Sequence, residues 1–307
     1  MRTLLPKRQA LIAAPFLAYA TYSLARSDLR VEHLILLGAV VTLGAIGPRT
    51  RELLEGLFPF GLVALLFDGM RPFQKLGLSE SRVLNCDLRS VEARFFGSGG
   101  STLQDYFYAH HVAALDVFCA IPYATFILWC VIGAVILYVK DRPAMKRFAW
   151  GWFLLNVAAF ITYHALPAAP PWYFHTHGCA VDLATHASEG PGLARVDALM
   201  GIPFFHGMYG KAASVFGALP SLHCAYPLLL VIEGWRAFGP RMRAASIAYW
   251  LAMVFSAIYL DHHWVLDALL GSVYAVSIAV LLWLPQRFAL VRSEPVPAAE
   301  AKAKVAA

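Results

Sequence analysis

Eight apolar runs divide this chain, and short polar or basic turns separate most of them. They fall at residues 10–24, 31–47, 53–67, 112–139, 148–166, 219–238, 244–260 and 264–284. A bilayer-crossing helix takes about 20 mainly apolar residues, so each run is near the size of a span. The second and third are short, and the third carries Glu55 and Pro59. The first also fits a secretory signal peptide, with its basic start, short apolar core and Ala-Tyr-Ala stretch. Cleavage there leaves the orientation of the rest unchanged, because the second run still begins outside. The pattern predicts an all-α, polytopic membrane protein.

Two of the connecting segments are long. Within residues 68–111, the stretch 80–96 places Leu84, Leu88, Val91 and Phe95 at helical spacing with charges between them. That predicts an amphipathic helix on the membrane face. Residues 167–218 are rich in Pro, Gly, His and aromatic side chains and open with PAAPPWYF. Successive prolines remove backbone donors and clash with the preceding turn, so the fifth run must stop there. Trp172, Tyr173 and Phe174 are expected at headgroup depth, where amphipathic rings are favoured. The chain then divides into amino-terminal spans over 1–67, an outer segment over 68–111 and a catalytic membrane core over 112–287 with its outer loop 167–218. A tail over 288–307, ending EPVPAAEAKAKVAA, has the composition of a disordered segment. Counted in helices, two amino-terminal spans precede a core of six.

Composition agrees with a membrane protein: 59% of the 307 residues are hydrophobic and only 14% are charged. A soluble domain carries roughly a quarter charged residues. The net charge of +6 does not imply a nucleic-acid partner, because Lys and Arg sit in turns rather than on one soluble face. Their distribution sets orientation instead. With the amino terminus inside, sixteen fall in inner segments and nine in outer ones, which places both termini in the cytoplasm. Five cysteines show no metal-ligand spacing. Cys119, Cys130 and Cys224 fall in apolar runs as packing residues, while Cys86 and Cys179 lie in outer segments where a disulfide between them is open.

The polar residues collect at one membrane level. GALPSLH places Ser221 and His223 at the outer end of the sixth run. The chain crosses inward, turns, and returns to the outer face at SAIYLDHHWVLDALLG, which holds His263 and Asp267. If the last helix begins near Asp261, these two share a face one turn apart. The carboxylate then fixes the imidazole tautomer and leaves Nε2 free as a nucleophile, with His223 opposite as an acid. Proline before Ser221 marks a helix start, Ser221 is a natural N-cap, and the free amides of that turn favour a phosphate. Such a set suits phosphoryl transfer through a phosphohistidine.

PSLH and the His-xxx-Asp pair resemble two signatures of the type-2 phosphatidic acid phosphatase superfamily, PSGH and SRxxxxxHxxxD, with Ser256, His263 and Asp267 in register. TYHALPAAPPWYF, GALPSLH and YLDHHWVLDALLGS together resemble its inositol phosphorylceramide synthase branch. The resemblance covers roughly residues 148–284. It implies that His263 attacks phosphorus, Asp267 orients it, His223 protonates the leaving alcohol and then deprotonates the acceptor, and Ser221 holds phosphate oxygens. It also implies a membrane phospholipid donor, a lipid acceptor, no metal and no cofactor. Ala257 stands where the phosphatase pattern has arginine, and no KxxxxxxRP signature occurs. Lys211, Arg195 and Arg71 are the candidates to neutralise the phosphate instead. Trp172, Tyr173 and His164 are candidate walls of the headgroup pocket.

The expected activity is transfer of a phosphate-bearing headgroup, such as phosphoinositol, to a lipid hydroxyl such as that of ceramide. The alternative is hydrolysis of phosphatidic acid or a polyprenyl diphosphate by the same residues. A transporter would instead place its charges in mid-span, with broken helices near the midplane. The active site is expected at the outer face. Among neighbouring residues, His262 is read as structural or substrate-facing, Asp261 as a helix cap, and the loop histidines at 175–186 as solvated or headgroup-contacting rather than metal-binding. The pattern fixes no oligomeric state.

Overall fold

A computed structural model describes residues 6–70, 73, 76–210 and 214–293, with side chains described to 284 apart from that of Glu189. Thirteen α-helices occupy these residues, joined by two 3-10 turns and isolated β-bridges, with no extended strand among the described residues. The first three, α1 (Lys7–Ala25), α2 (Val31–Ile46) and α3 (Pro48–Met70), pack on one another. Two short outer helices follow, α4 (Cys86–Phe96) and α5 (Leu103–Ala109), and then the hairpin of α6 (Ala113–Lys140) and α7 (Arg142–Ala165). Three more short helices fold the second long segment: α8 (Pro171–His177), α9 (Pro191–Met200) and α10 (Phe204–Tyr209). The chain closes with α11 (Leu222–Gly234), α12 (Pro240–Tyr259) and α13 (Val265–Ser293). Each of the eight apolar runs holds a helix, the sixth only over Leu222–Gly234. Four helices are long and apolar enough to cross a bilayer on their own: α3, α6, α12 and α13 up to Leu284.

α11 is the centre of the fold and packs against α6, α7, α12 and α13. Its buried face, with Ala225, Leu229 and Leu230, meets Leu137, Phe148, Leu155 and Ala275. Tyr226 adds a ring stacked on Trp152 at 3.8 Å between centroids. At 13 residues the helix is about 20 Å long, short of the roughly 30 Å hydrocarbon layer. The irregular backbone before it is paired within the protein. Ala168 N–H donates to the Phe216 carbonyl and Ala218 N–H donates to the Ala168 carbonyl, at 3.0 and 3.2 Å.

The two long connecting segments differ from expectation in two respects, and they settle the cysteine pairing that the sequence leaves open. The amphipathic stretch is helical only from Cys86, because Leu84 is taken by long-range backbone pairing: its N–H donates to Pro167 O and its carbonyl accepts from Ala169 N–H. Val91 and Phe95 are exposed, but Glu92 is fully buried on the other side. Trp172 and Tyr173 are buried in a cluster with Val83, Ala169, Val215 and Phe216 rather than anchored at an interface. The prolines before them end α7 and then start α8, where Pro171 occupies the first turn. Finally, Cys86 and Cys179 are joined by a disulfide, which ties α4 to the loop after α8.

Candidate active site

The site forms where the amino-terminal end of α11 meets the turn before α13. Ser221 caps α11, its Oγ accepting from Cys224 N–H at 3.3 Å, and this aims His223 from the first turn. α13 approaches closely because residue 271 is glycine: a Cβ there would lie 2.3 Å from the Ser221 carbonyl oxygen. Ser221 N–H in turn donates to the Asp267 carbonyl at 2.9 Å. Two helices distant in sequence are thereby locked backbone to backbone beside the histidines.

A single hydrogen-bond chain runs through the imidazoles. His263 Nδ1 lies 3.0 Å from the Ala218 carbonyl and 3.3 Å from Asp267 Oδ2, both acceptors, so its proton sits on Nδ1. Nε2 is then an acceptor, and His223 Nδ1 donates to it at 3.2 Å. His223 Nε2 completes the line by accepting from the Tyr209 hydroxyl at 3.3 Å. Burial pulls His263 down to about 4, which keeps the imidazole neutral and its Nε2 lone pair available. Tyr123 stacks on His223 at 4.7 Å and Phe126 packs at 4.8 Å.

α13 begins at Val265 rather than near Asp261, so His263 precedes the helix. The pair still meets, because Asp267 folds back over the first turn and accepts from Trp264 N–H at 2.9 Å. His262 therefore does not point away around a helix. It lines the same cavity as His223 and His263, and its Nε2 is buried without a hydrogen-bond partner. Asp261 is not a helix cap. It takes a left-handed backbone conformation, φ 65°, and its carboxylate pairs with His175 Nδ1 at 2.6 Å.

Other named residues fall in different places. Trp172 and His164 line the cavity, whereas Tyr173 stands behind it, its hydroxyl donating to the Asp182 carbonyl at 3.1 Å. Ser221 and Asp267 are fully buried and support the cavity wall from behind. Arg195 is held by both carboxylate oxygens of Asp116 at 3.0 and 3.1 Å. Lys211 and Arg71 lie outside the described residues.

Sequence reasoning missed four contributors. Tyr209 gives no spacing signal, since it reaches His223 from the long outer loop. Arg30 is the single Lys or Arg among the described residues lining the cavity. Glu92 accepts from Val265 and Leu266 N–H at 2.7 and 3.1 Å, so an outer-helix carboxylate holds the amino terminus of α13. Gln104 donates both to Glu92 and to the His263 carbonyl, each at 3.2 Å.

His175 bridges two carboxylates, Asp261 at 2.6 Å and Asp105 at 2.8 Å, and Arg89 donates to Asp105 at 2.6 Å. Burial opposes charge on His175, yet Asp261 and Asp105 prevail and raise it above the usual histidine value. Burial likewise pushes Asp261 up to about 6 against the pull of His175. A raised histidine contributes stability that is complete below about 6.5 and is lost as pH climbs through its folded value. A raised aspartate contributes in its protonated form and loses that contribution between about 4 and 6, so the two effects share a sign but the aspartate's is already spent below the histidine's window. Hydrogen-exchange protection of residues 167–190 is therefore expected to weaken as pH rises above about 6.5 through the raised histidine value, and to lose that dependence in His175→Gln. Protection that ignores pH in the unaltered protein would remove the linkage.

The PAP2 superfamily model matches residues 87–281, which hold His223, His263, Asp267 and their supports. The chain belongs to that superfamily. Phosphoinositol dihydroceramide synthase of Bacteroides thetaiotaomicron is 33% identical to it over 273 residues, 86% of either chain. The inositol phosphorylceramide synthase catalytic subunit of Saccharomyces cerevisiae is 31% identical over 182 residues, 58% of this chain and 45% of that one. Inositol phosphorylceramide synthase of Candida albicans is 28% identical over 182 residues, 58% of this chain and 38% of that one. No solved structure matches. This PAP2 protein is an integral membrane enzyme of the lipid phosphotransferase type.

Proposed function

We propose that the chain moves a phosphoinositol headgroup from a glycerophospholipid to the hydroxyl of a ceramide-type lipid, through a phosphohistidine at His263. The observation that carries this reading is the 3.2 Å contact between His223 Nδ1 and His263 Nε2 on the wall of a cavity of about 990 Å³. In the first half-reaction His263 Nε2 attacks phosphorus and the bond from phosphorus to the glycerol oxygen breaks. His223, doubly protonated beside the bound phosphodiester anion, delivers one proton to that oxygen and is left as the neutral imidazole, and diacylglycerol leaves. In the second, His223 removes the proton of the acceptor hydroxyl, whose oxygen attacks phosphorus and displaces His263. Asp267 and the Ala218 carbonyl hold the His263 Nδ1 proton throughout, stabilising the charge that the ring gains on phosphorylation. The names of the similar proteins supply the headgroup and the acceptor.

The reaction is assigned to the extracytoplasmic side. The excess of Lys and Arg in the alternate connections supports this, and so does the Cys86–Cys179 disulfide in the outer segments, since such bonds persist in oxidising compartments. Grouping the first 67 residues apart from the core is also part of the proposal, and their place outside the matched stretch supports it.

Purified protein incubated with labelled phosphatidylinositol is expected to yield a new labelled lipid only when ceramide or dihydroceramide is added. Free inositol phosphate formed at the same rate with and without the acceptor would replace transfer by hydrolysis.

A further inference from the structure

The reacting histidines occupy only part of the cavity. Its wall also includes Tyr19 from α1, Arg30 and His33 at the start of α2, and Asp68 near the end of α3. These four form one network. The Asp68 carboxylate accepts from the Tyr19 hydroxyl at 2.6 Å, pairs with His33 Nε2 at 2.9 Å and is in contact with the Arg30 guanidinium. Arg30 also approaches His33 at 3.2 Å, and its own Nε is buried without a partner. Glu32, exposed beside them, lines the same cavity. None of these positions falls within the superfamily match, which begins at residue 87. The general phosphoryl chemistry therefore gives no reason for them.

Ionisable side chains gathered inside a membrane helix bundle mark a ligand path by default. This cluster is poorly suited to a phosphate. Arg30 is already matched by Asp68, and Glu32 adds another negative charge. It does suit a neutral, many-hydroxyl group. A carboxylate accepts from ring hydroxyls, while guanidinium, imidazole and phenol donate to them, so each hydroxyl finds both kinds of partner. The three helices also bring these residues to the level of His223 and His263: α1 ends, α2 begins and α3 ends on that side.

We propose that Tyr19, Arg30, His33 and Asp68 form a polyol subsite that takes the hydroxylated ring of the transferred headgroup while its phosphate lies at His263. This rests on the headgroup-transfer reading above and gives the amino-terminal helices a role in choosing the donor. The same chemistry would take a soluble cyclitol phosphate, and the test separates the two sources.

The measurement is calorimetric binding of myo-inositol 1-phosphate and of inorganic phosphate to the full chain in nanodiscs. Inositol phosphate is expected to bind about 10-fold or more tightly than phosphate, as hydrogen bonds to charged groups warrant. Asp68→Asn and Tyr19→Phe should each erase most of that preference while leaving phosphate affinity in place. Thermal unfolding identifies a variant that fails to fold, and in that case Tyr19→Phe decides. An unaltered protein without the preference, or folded variants that retain it, would overturn the subsite. Phosphatidylinositol added to the nanodiscs should displace inositol phosphate; failure to do so overturns the lipid-headgroup assignment in favour of a soluble ligand. A subsite that passes these tests in a protein showing no ceramide-dependent product leaves the subsite standing and sinks only the acceptor reading.

Discussion

His263→Ala is expected to lower turnover by roughly five to six orders of magnitude, the scale seen when a nucleophile is removed from a unit that acts together. The ring supplies the atom that bonds to phosphorus, and no other described side chain holds a neutral nitrogen in the same relation to His223. The fall should be the same for every donor, because a better leaving group cannot replace a missing nucleophile. Acid-labile phosphate trapped on the unaltered protein should be absent from the variant. A variant that still turned over at a measurable fraction of the normal rate with several donors would end the phosphohistidine assignment.

His223→Ala is expected to be nearly as damaging with a natural phospholipid, for a different reason. An alcohol leaves poorly as an alkoxide, and a positioned general acid contributes about a hundred- to ten-thousand-fold. A nitrophenyl ester of the same headgroup phosphate does not need that proton. With this donor, His223→Ala should release one equivalent of nitrophenol quickly and then stall, since the acceptor still lacks its base. His263→Ala should release none. Steady turnover of the nitrophenyl donor by the His223 variant would show that some other group deprotonates the acceptor. The absence of any burst would place His223 in binding rather than proton transfer.

The two positions differ in what their surroundings do. His263 is fixed from behind by Asp267 and the Ala218 carbonyl, and the turn that carries it is fixed by Glu92 and Gln104 from the outer helices. His223 is held by stacking on Tyr123, by the tilted ring of Phe126, and by hydrogen bonds to His263 and the Tyr209 hydroxyl. A nucleophile gains from rigidity. An acid that must follow a leaving oxygen and later an entering one gains from a ring free to rotate between flat neighbours.

Much of the catalytic pairing was legible because it depends on spacing that the helical period fixes. Ser221 and His223 belong to one helix start, and His263 and Asp267 lie four residues apart, so a helix beginning anywhere nearby brings the second pair together. The start of α13 was misplaced, yet the contact survives because Asp267 reaches back to the capping residue. The bland role expected for Asp261 fails for the opposite reason. Its partner His175 is 86 residues away, and no local pattern encodes that pairing.

By itself the sequence determined the eight helical runs and the two segments, Ser221–His223 and His263–Asp267, that meet at one end of the bundle. It could do so because apolar length and basic turns are local properties read against a uniform solvent. Only the tertiary structure decided what closes the site. Glu92 sits on a stretch that reads as surface yet is buried against α13, Trp172 and Tyr173 look like interface anchors yet pack inside, and Tyr19, Arg30, His33 and Asp68 meet across three helices to line the cavity. Each of these depends on which helix lies beside which, and that is set by the summed packing of the whole bundle, to which no short window of sequence has access.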